Sequence, residues 1–370
     1  GDWIRQGVLQ REEWPSFYVY QHRFQLGEQC RQRLGFFAAL RLADPEAGIV
    51  LPHEGTLPHS LQAATERLRD LRAEPSAVYT LVEDDGQIEQ ILGRVVAGCP
   101  DGECADGEGG MHRWWIVSDL PTIAALRDAL LGRQLYIADG HHRYAAALAY
   151  RDERSRQPGG ANGAEFVLAY VADAADPGTT VLPIHRSISD VSVTEFDRWL
   201  GCLRGTFEVD DIVDLSAIST SDPGSLASEI EYELDQGELP RYCLLGPDRL
   251  LRRLQLSRWD AIENGNGDLT SRMDATIADE WILGRAFGIG ANKIEQRVRF
   301  VPGTAEAARR AIADPTSVTL FLRSTPLDQL LRVARAGQRM PRKSTYFYPK
   351  LPIGLVAYDL DDGPGSGDPH

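Results

Sequence analysis

Apolar and polar positions alternate along this chain in short blocks that change period. Phe17-Tyr18-Val19-Tyr20 and Gly35-Phe36-Phe37-Ala38-Ala39-Leu40 are aromatic-rich and bounded by polar segments, as strands are. Gly48-Ile49-Val50-Leu51 is a short apolar run that leads into Pro52-His53-Glu54. From Leu61 to Leu71 the period lengthens to that of a helix, with Glu66, Arg67 and Arg69 on its polar face. Ala77 to Val82 returns to strand character and ends at Glu83-Asp84-Asp85-Gly86, and Trp114 to Val117 is a further strand. Thr122 to Leu131 reads as a helix. Leu135 to Ala138 is apolar and stops at Asp139-Gly140, and a helix is expected from Ala145 to about Tyr150. Ser155 to Ala164, rich in Gly, Pro and Arg, is expected to be a mobile loop. Phe166 to Val171 is a buried strand, and Val181 to Arg186 follows a turn at Asp176-Pro177-Gly178.

Near Asp190 the character changes. Helical patterns then alternate with strands such as Tyr242 to Leu245 and Val318 to Leu322, the latter followed by a helix from Pro326 to about Ala336. A first domain over residues 1–190, a second α+β region over 191–358 and a flexible acidic tail over 359–370 are therefore expected. There is no internal repeat.

Composition narrows the function classes. The 370 residues suffice for two domains, and a net charge of −15 opposes binding to nucleic acid or an anionic membrane. An anionic ligand has to be drawn by a local cluster. The cysteines, Cys30, Cys99, Cys104, Cys202 and Cys243, are scattered and odd in number. Cys99 and Cys104 could pair or bind metal, but no second pair completes a zinc site. Free thiols in a reducing compartment are the expectation. No apolar run approaches the ~20 residues of a spanning helix, and Gly1 to Arg5 lacks a signal-peptide pattern. A soluble, cytoplasmic protein is expected.

The candidate chemistry centres on Asp139-Gly140-His141-His142-Arg143, at the junction of a strand and a helix. Helix N-termini present amides with positive partial charge. Two histidines and an arginine in the same turn oppose the helix dipole, which suggests that a ligand compensates. This is a recipe for a phosphate site, although Asp139 could serve only as a helix cap. Glu54 ends a strand in a glycine-bearing loop, where a carboxylate can act as a general base or be merely solvated. Arg186, beside His185 at a strand end, could reach phosphate or form an ion pair.

Arg342 to Lys350 is aromatic and basic. Strand alternation would put Ser344, Tyr346 and Tyr348 on one face and Lys343, Thr345 and Phe347 on the other. A lysine there could contact phosphate. It is not a P-loop, because Arg342 stands where the second glycine is needed and Pro341 removes an amide. Gly288-Ile289-Gly290 lacks the third glycine and the preceding strand of a dinucleotide fingerprint, and His141-His142 diverge on a helix and do not chelate.

Taken in order, Trp14 to Tyr20, Pro52-His53-Glu54-Gly55-Thr56, Tyr136 to Tyr144, His185-Arg186 and Met340 to Lys350 resemble the bacterial and archaeal "domain of unknown function 1015" proteins over nearly the whole chain. Members usually open with a Pro-Tyr-Asp segment that precedes anything present here, so the chain is read as either a short member or a piece of a longer one. The Asp-Gly-His-His-Arg turn with an earlier Pro-His-Glu loop is similar, more remotely, to the ParB/sulfiredoxin superfamily, which includes free-serine kinases.

That resemblance implies an α+β fold, with an N-terminal ParB/sulfiredoxin-like mixed sheet and a second α+β region that has no counterpart in the small serine kinases. It implies a small-molecule kinase that uses ATP or ADP with Mg²⁺ to phosphorylate serine or a related hydroxyl compound. Glu54 would be the base, and Asp139 would orient the turn or hold Mg²⁺. Gly140, His141, His142 and Arg143 would hold phosphates, with His142 and Arg143 also at the reaction centre. His185, Arg186, Lys343, Ser344 and Lys350 would add to nucleotide binding, and His53, Thr56 and Tyr346 to the hydroxyl substrate. A nucleotide switch without an acceptor and a non-catalytic phosphate-binding protein are the rival readings. A homo-oligomer is left open.

Overall fold

The long hairpin that begins at Phe17 is built by alternation. Strands β1 (Phe17–Leu26) and β2 (Gln29–Arg41) pair antiparallel, and the pairing runs on through the polar stretch where His22 faces Arg33. Aromatic ends alone suggest shorter strands. The full length follows because one face stays buried in the polar part too, where His22 and Arg33 are almost wholly enclosed. The computed structural model describes residues 2–156, 163–215, 222–262 and 268–361. Most of the loop expected at 155–164 and the tail beyond Asp361 lie outside the described residues.

By its internal packing the chain divides into two units, one of residues 1–180 with 347–370, the other of residues 181–346. Both mix helices with sheets, an α+β architecture. Besides β1 and β2, the first unit contains β3 (Val50–Pro52), β4 (Ala73–Glu74), β5 (Val78–Val82), β6 (Gly102–Ala105), β7 (Met111–Val117), β8 (Leu135–Asp139) and β9 (Phe166–Asp173). All except β4 form one eight-stranded mixed sheet in the order β3-β8-β5-β9-β2-β1-β7-β6. The pairs β3/β8 and β5/β9 are parallel, and the others are antiparallel.

Besides one helical turn at Asp2–Arg5, the described part of this unit contains helices α1 (Pro58–Leu71), α2 (Gln87–Val96), α3 (Leu120–Leu130) and α4 (His141–Arg154). α1 packs on α4, and α2 on α3. A core of Val19, Phe36, Val78, Ile91, Leu126, Ile137, Tyr144 and Val171 joins α2, α3 and α4 to one side of the sheet. Residues alternating with these (Tyr20, His22, Arg33, Phe37, Tyr79, Tyr170) point to the other side. Phe347 and Tyr348 pack there against Tyr79 and Phe24, and Arg33 donates to the Pro349 carbonyl at 2.9 Å. The returning segment also pairs Tyr358 and Asp359 with β4, so Asp359 to Asp361, expected in a flexible tail, are tied into the unit.

The second unit is built on a six-stranded antiparallel sheet, in the order Phe207–Asp214, Leu250–Leu256, Arg241–Leu245, Val318–Leu322, Ile184–Ile188, Arg299–Pro302. Separate apolar cores cover its two faces, one around Trp199, Ile282 and Phe287, the other around Ile230, Ala308 and Phe321. The strand expected from Val181 to Arg186 is broken at Pro183, which lacks the amide needed to continue a ladder. Among the described residues, no helix is long and apolar enough to cross a membrane.

Candidate functional site

β8 carries the chain into the site. It ends at Asp139, and Gly140 turns it into α4 with φ +98°, a left-handed conformation that favours glycine. The helix begins at His141, earlier than the alanine run suggests, so both histidines and Arg143 occupy its first turn. A Cβ on Gly140 would come within 2.8 Å of Arg143 Nη2 and 2.9 Å of its Nε. The missing side chain lets the Arg143 guanidinium fold back over the turn. Gly140→Ala is therefore expected to cost about 1–2 kcal/mol from backbone strain alone, read by denaturant unfolding, and to displace Arg143.

Asp139 is half-buried between two cations. Its Oδ2 accepts from Arg143 Nη2 at 3.1 Å, and its Oδ1 accepts from Lys350 Nζ at 3.1 Å. Burial alone would raise this carboxyl. Lys350 and Arg143 outweigh that and hold it below its ordinary value. One carboxylate between two cations leaves a net positive charge at the helix start. Arg143 Nε is buried and has no hydrogen-bond partner among the described residues, and an orphaned donor of this kind is costly unless a ligand fills it.

The loop carrying Glu54 is fastened to the same turn by the two histidines. The His53 amide donates to His141 Nε2 at 3.3 Å, and the Leu57 amide donates to His142 Nε2 at 3.0 Å. His53 and His141 rings meet edge to face at 4.4 Å, and His53 Nδ1 lies 2.8 Å from the Ile137 carbonyl. These bonds hold both ends of the segment from His53 to Leu57, which contains the half-buried Glu54 and the exposed Thr56. Accepting through Nε2 leaves the proton of each neutral imidazole on Nδ1.

Thus Glu54, His53, Thr56, Asp139, Gly140, His141, His142, Arg143 and Lys350 all belong to the first unit. Their neighbourhood suits a phosphate, with an orphaned guanidinium N–H, helix-start amides and a second cation. It suits Mg²⁺ at Asp139 less well, since both carboxylate oxygens already accept from cations. A Mg²⁺ arriving with a nucleotide would rely on phosphate oxygens and water.

The other residues singled out in the sequence lie in the second unit. His185 and Arg186 are wholly enclosed in its sheet. Arg186 forks onto Asp279 at 2.9 and 3.1 Å and lies over the Phe300 ring. His185 Nδ1 accepts from the Leu322 amide at 3.3 Å, and burial, with Arg186 alongside, pulls the imidazole down to about 3. Lys343 is exposed with φ +61°, which interrupts the alternation expected over 342–350 and leaves only Tyr346–Tyr348 as strand. Ser344 is buried and donates to the Pro341 carbonyl at 2.6 Å, and Tyr346 is half-buried. The cysteines are free thiols.

Glu74 stands out only in three dimensions. Its side chain is almost fully enclosed, and Oε2 accepts from the Leu168 amide at 2.5 Å. Burial pushes its carboxyl up to about 8, against the opposing pull of that amide and of Arg143. Nothing in Ala73-Glu74-Pro75-Ser76 distinguishes it from a loop carboxylate.

The model of a family described as "Protein of unknown function (DUF1015)" matches residues 1–257. No curated protein matches this chain. Similar solved structures include a free serine kinase in complex with AMP, at 11% identity and TM-score 0.41 over 88% of this chain and 92% of that one. They also include SbnI with a C-terminal truncation from Staphylococcus aureus, at 9% identity and TM-score 0.42 over 88% of each chain. A conserved hypothetical protein from Pyrococcus furiosus is similar at 12% identity and TM-score 0.39, over 88% of this chain and 96% of that one.

Proposed function

The chain belongs to the DUF1015 family, and we propose that its first unit transfers a phosphoryl group from a nucleotide, ATP or ADP, to the hydroxyl of serine or a related small compound. The observation that carries this reading is the fastening of the Glu54 loop to the Arg143 turn by His141 and His142. A candidate base and a candidate phosphate cradle thereby share one rigid support. Phosphoryl transfer asks mainly for such positioning and for charge neutralisation.

In the proposed reaction the Glu54 carboxylate takes the proton of the acceptor hydroxyl. The acceptor oxygen bonds to the terminal phosphorus as the bridging P–O bond breaks, and its electron pair leaves on the departing phosphate. Arg143, Lys350 and the Gly140 amide meet that charge. His141 and His142 act as positioning residues, and Asp139 keeps Arg143 and Lys350 in place. Mg²⁺, when present with the nucleotide, would supply further neutralisation of the phosphate charge.

The test is a matrix of ATP, ADP and other nucleotides against serine and related hydroxyl compounds, read by phosphorus NMR. A new phosphomonoester resonance that requires both partners is expected. Nucleotide hydrolysis that no hydroxyl compound stimulates would favour a switch without an acceptor, and binding without turnover would favour a phosphate-binding protein. Arg143→Ala is expected to remove about 2–4 kcal/mol of transition-state stabilisation, read as a fall in kcat/KM.

A further inference from the structure

A second cluster of ligand-type side chains lies in the first unit, on the side of the sheet away from its main core. His22 of β1 and His112 of β7 face each other across the antiparallel ladder, their rings stacked at 4.1 Å. Asp106, in the turn between β6 and β7, reaches both. Its Oδ2 lies 3.4 Å from His22 Nε2 and 3.5 Å from His112 Nε2. One ligand atom from each residue falls within 4.8 Å of the other two. The two carboxylate–imidazole spacings match the edges of a tetrahedron about a transition ion, which measure roughly 3.4 Å for bonds of about 2.1 Å.

The surroundings are those of a prepared site. Asp106 Oδ1 is occupied by the amides of Glu108 at 2.8 Å and Gly110 at 2.6 Å, which turns Oδ2 toward the imidazoles. His112 Nδ1 lies 2.7 Å from the Tyr20 hydroxyl, the outer contact that fixes a ligating ring with Nε2 facing inward. Gly110 closes the cradle from the turn side. A Cβ there would fall 2.2 Å from Asp106 Oδ2 and 3.0 Å from His22 Nε2, so only glycine leaves the space open. Arg33 stands opposite His22 in the β1/β2 ladder. Arg33 itself is turned to the Tyr79 and Tyr170 rings and the Pro349 carbonyl.

We propose that His22, Asp106 and His112 bind a divalent first-row transition ion such as Zn²⁺, two imidazoles and one carboxylate leaving at least one position for water. Mg²⁺ and Ca²⁺, which prefer oxygen donors, are excluded by this donor set. The site is independent of the phosphotransfer reading, since none of its ligands belongs to the Glu54 or Arg143 groups.

The test uses the untagged full chain, stripped with chelator and titrated with Zn²⁺ by calorimetry and with Co²⁺ by visible absorption. One ion per chain is expected, with Co²⁺ bands of a site of low coordination number. Asp106→Asn and His22→Gln are expected to weaken Zn²⁺ binding at least 100-fold with nucleotide binding unchanged, and Gly110→Ala to weaken it by filling the cradle. As a readout that needs no variant, the side-chain nitrogen resonances of His22 and His112 should shift together on Zn²⁺ addition. No shift of either ring, or Zn²⁺ affinity equal in wild type and folded Asp106→Asn, would overturn the proposal and leave a hydrogen-bonded trio.

Discussion

Glu54→Gln is expected to lower phosphoryl transfer by about 10²–10⁴-fold, the range over which a positioned base contributes, with nucleotide affinity unchanged. Gln keeps the shape and the hydrogen-bonding reach of Glu but cannot take a proton at neutral pH. The loop is held at both ends by the His53 and Leu57 amides and the two imidazoles, which the substitution leaves in place. A folded variant with intact nucleotide binding and lost transfer is therefore the predicted phenotype, measured by phosphorus NMR and by nucleotide titration. Transfer at the wild-type rate would remove Glu54 from the chemistry.

The second large effect is a pH dependence of stability. Glu74 titrates near 4.5 in the unfolded chain and at about 8 in the folded one, because burial disfavours its charge. The neutral form is the one that the fold accepts. Its contribution is full below pH 4.5 and is lost as the pH rises through 8, since the unfolded state sheds the proton first. The loss integrates to about 4 kcal/mol across this window. Glu74→Gln stays neutral throughout, and its amide oxygen can still accept from Leu168. Unfolding free energies of the two proteins should lie close together near pH 4.5 and separate in favour of the Gln variant toward pH 8. His22, whose imidazole is pulled down to about 4, and His185 push the other way, losing stability as the pH falls below 6.5. They are common to both proteins and cancel in the difference.

Local patterns in the chain encode much of this molecule. The strand from Leu135 and the buried strand from Phe166 are visible because apolar runs end at residues that break them. Helix α2 escapes notice because Glu83-Asp84-Asp85-Gly86 reads as a turn alone, whereas Asp84 accepts from the Ile88 and Glu89 amides and so starts a helix. Strand β6 escapes because its residues are mostly exposed and have no apolar signature. The flexible reading of Asp359 misses the partner strand that pairs with it.

The α+β alternation, the strand-to-helix turn at Asp139-Gly140 and the concentration of chemistry there are all written locally in the chain. Each of these is encoded within a few residues, as periodicity, a glycine or a run of like side chains. What those side chains hold is set by the folded arrangement. His141 and His142 meet the Glu54 loop, Lys350 meets Asp139, and His22 meets Asp106 and His112, all across long stretches of chain. Partners so far apart leave no local pattern, because their distance is set by sheet order and register, which the packing of the whole unit selects.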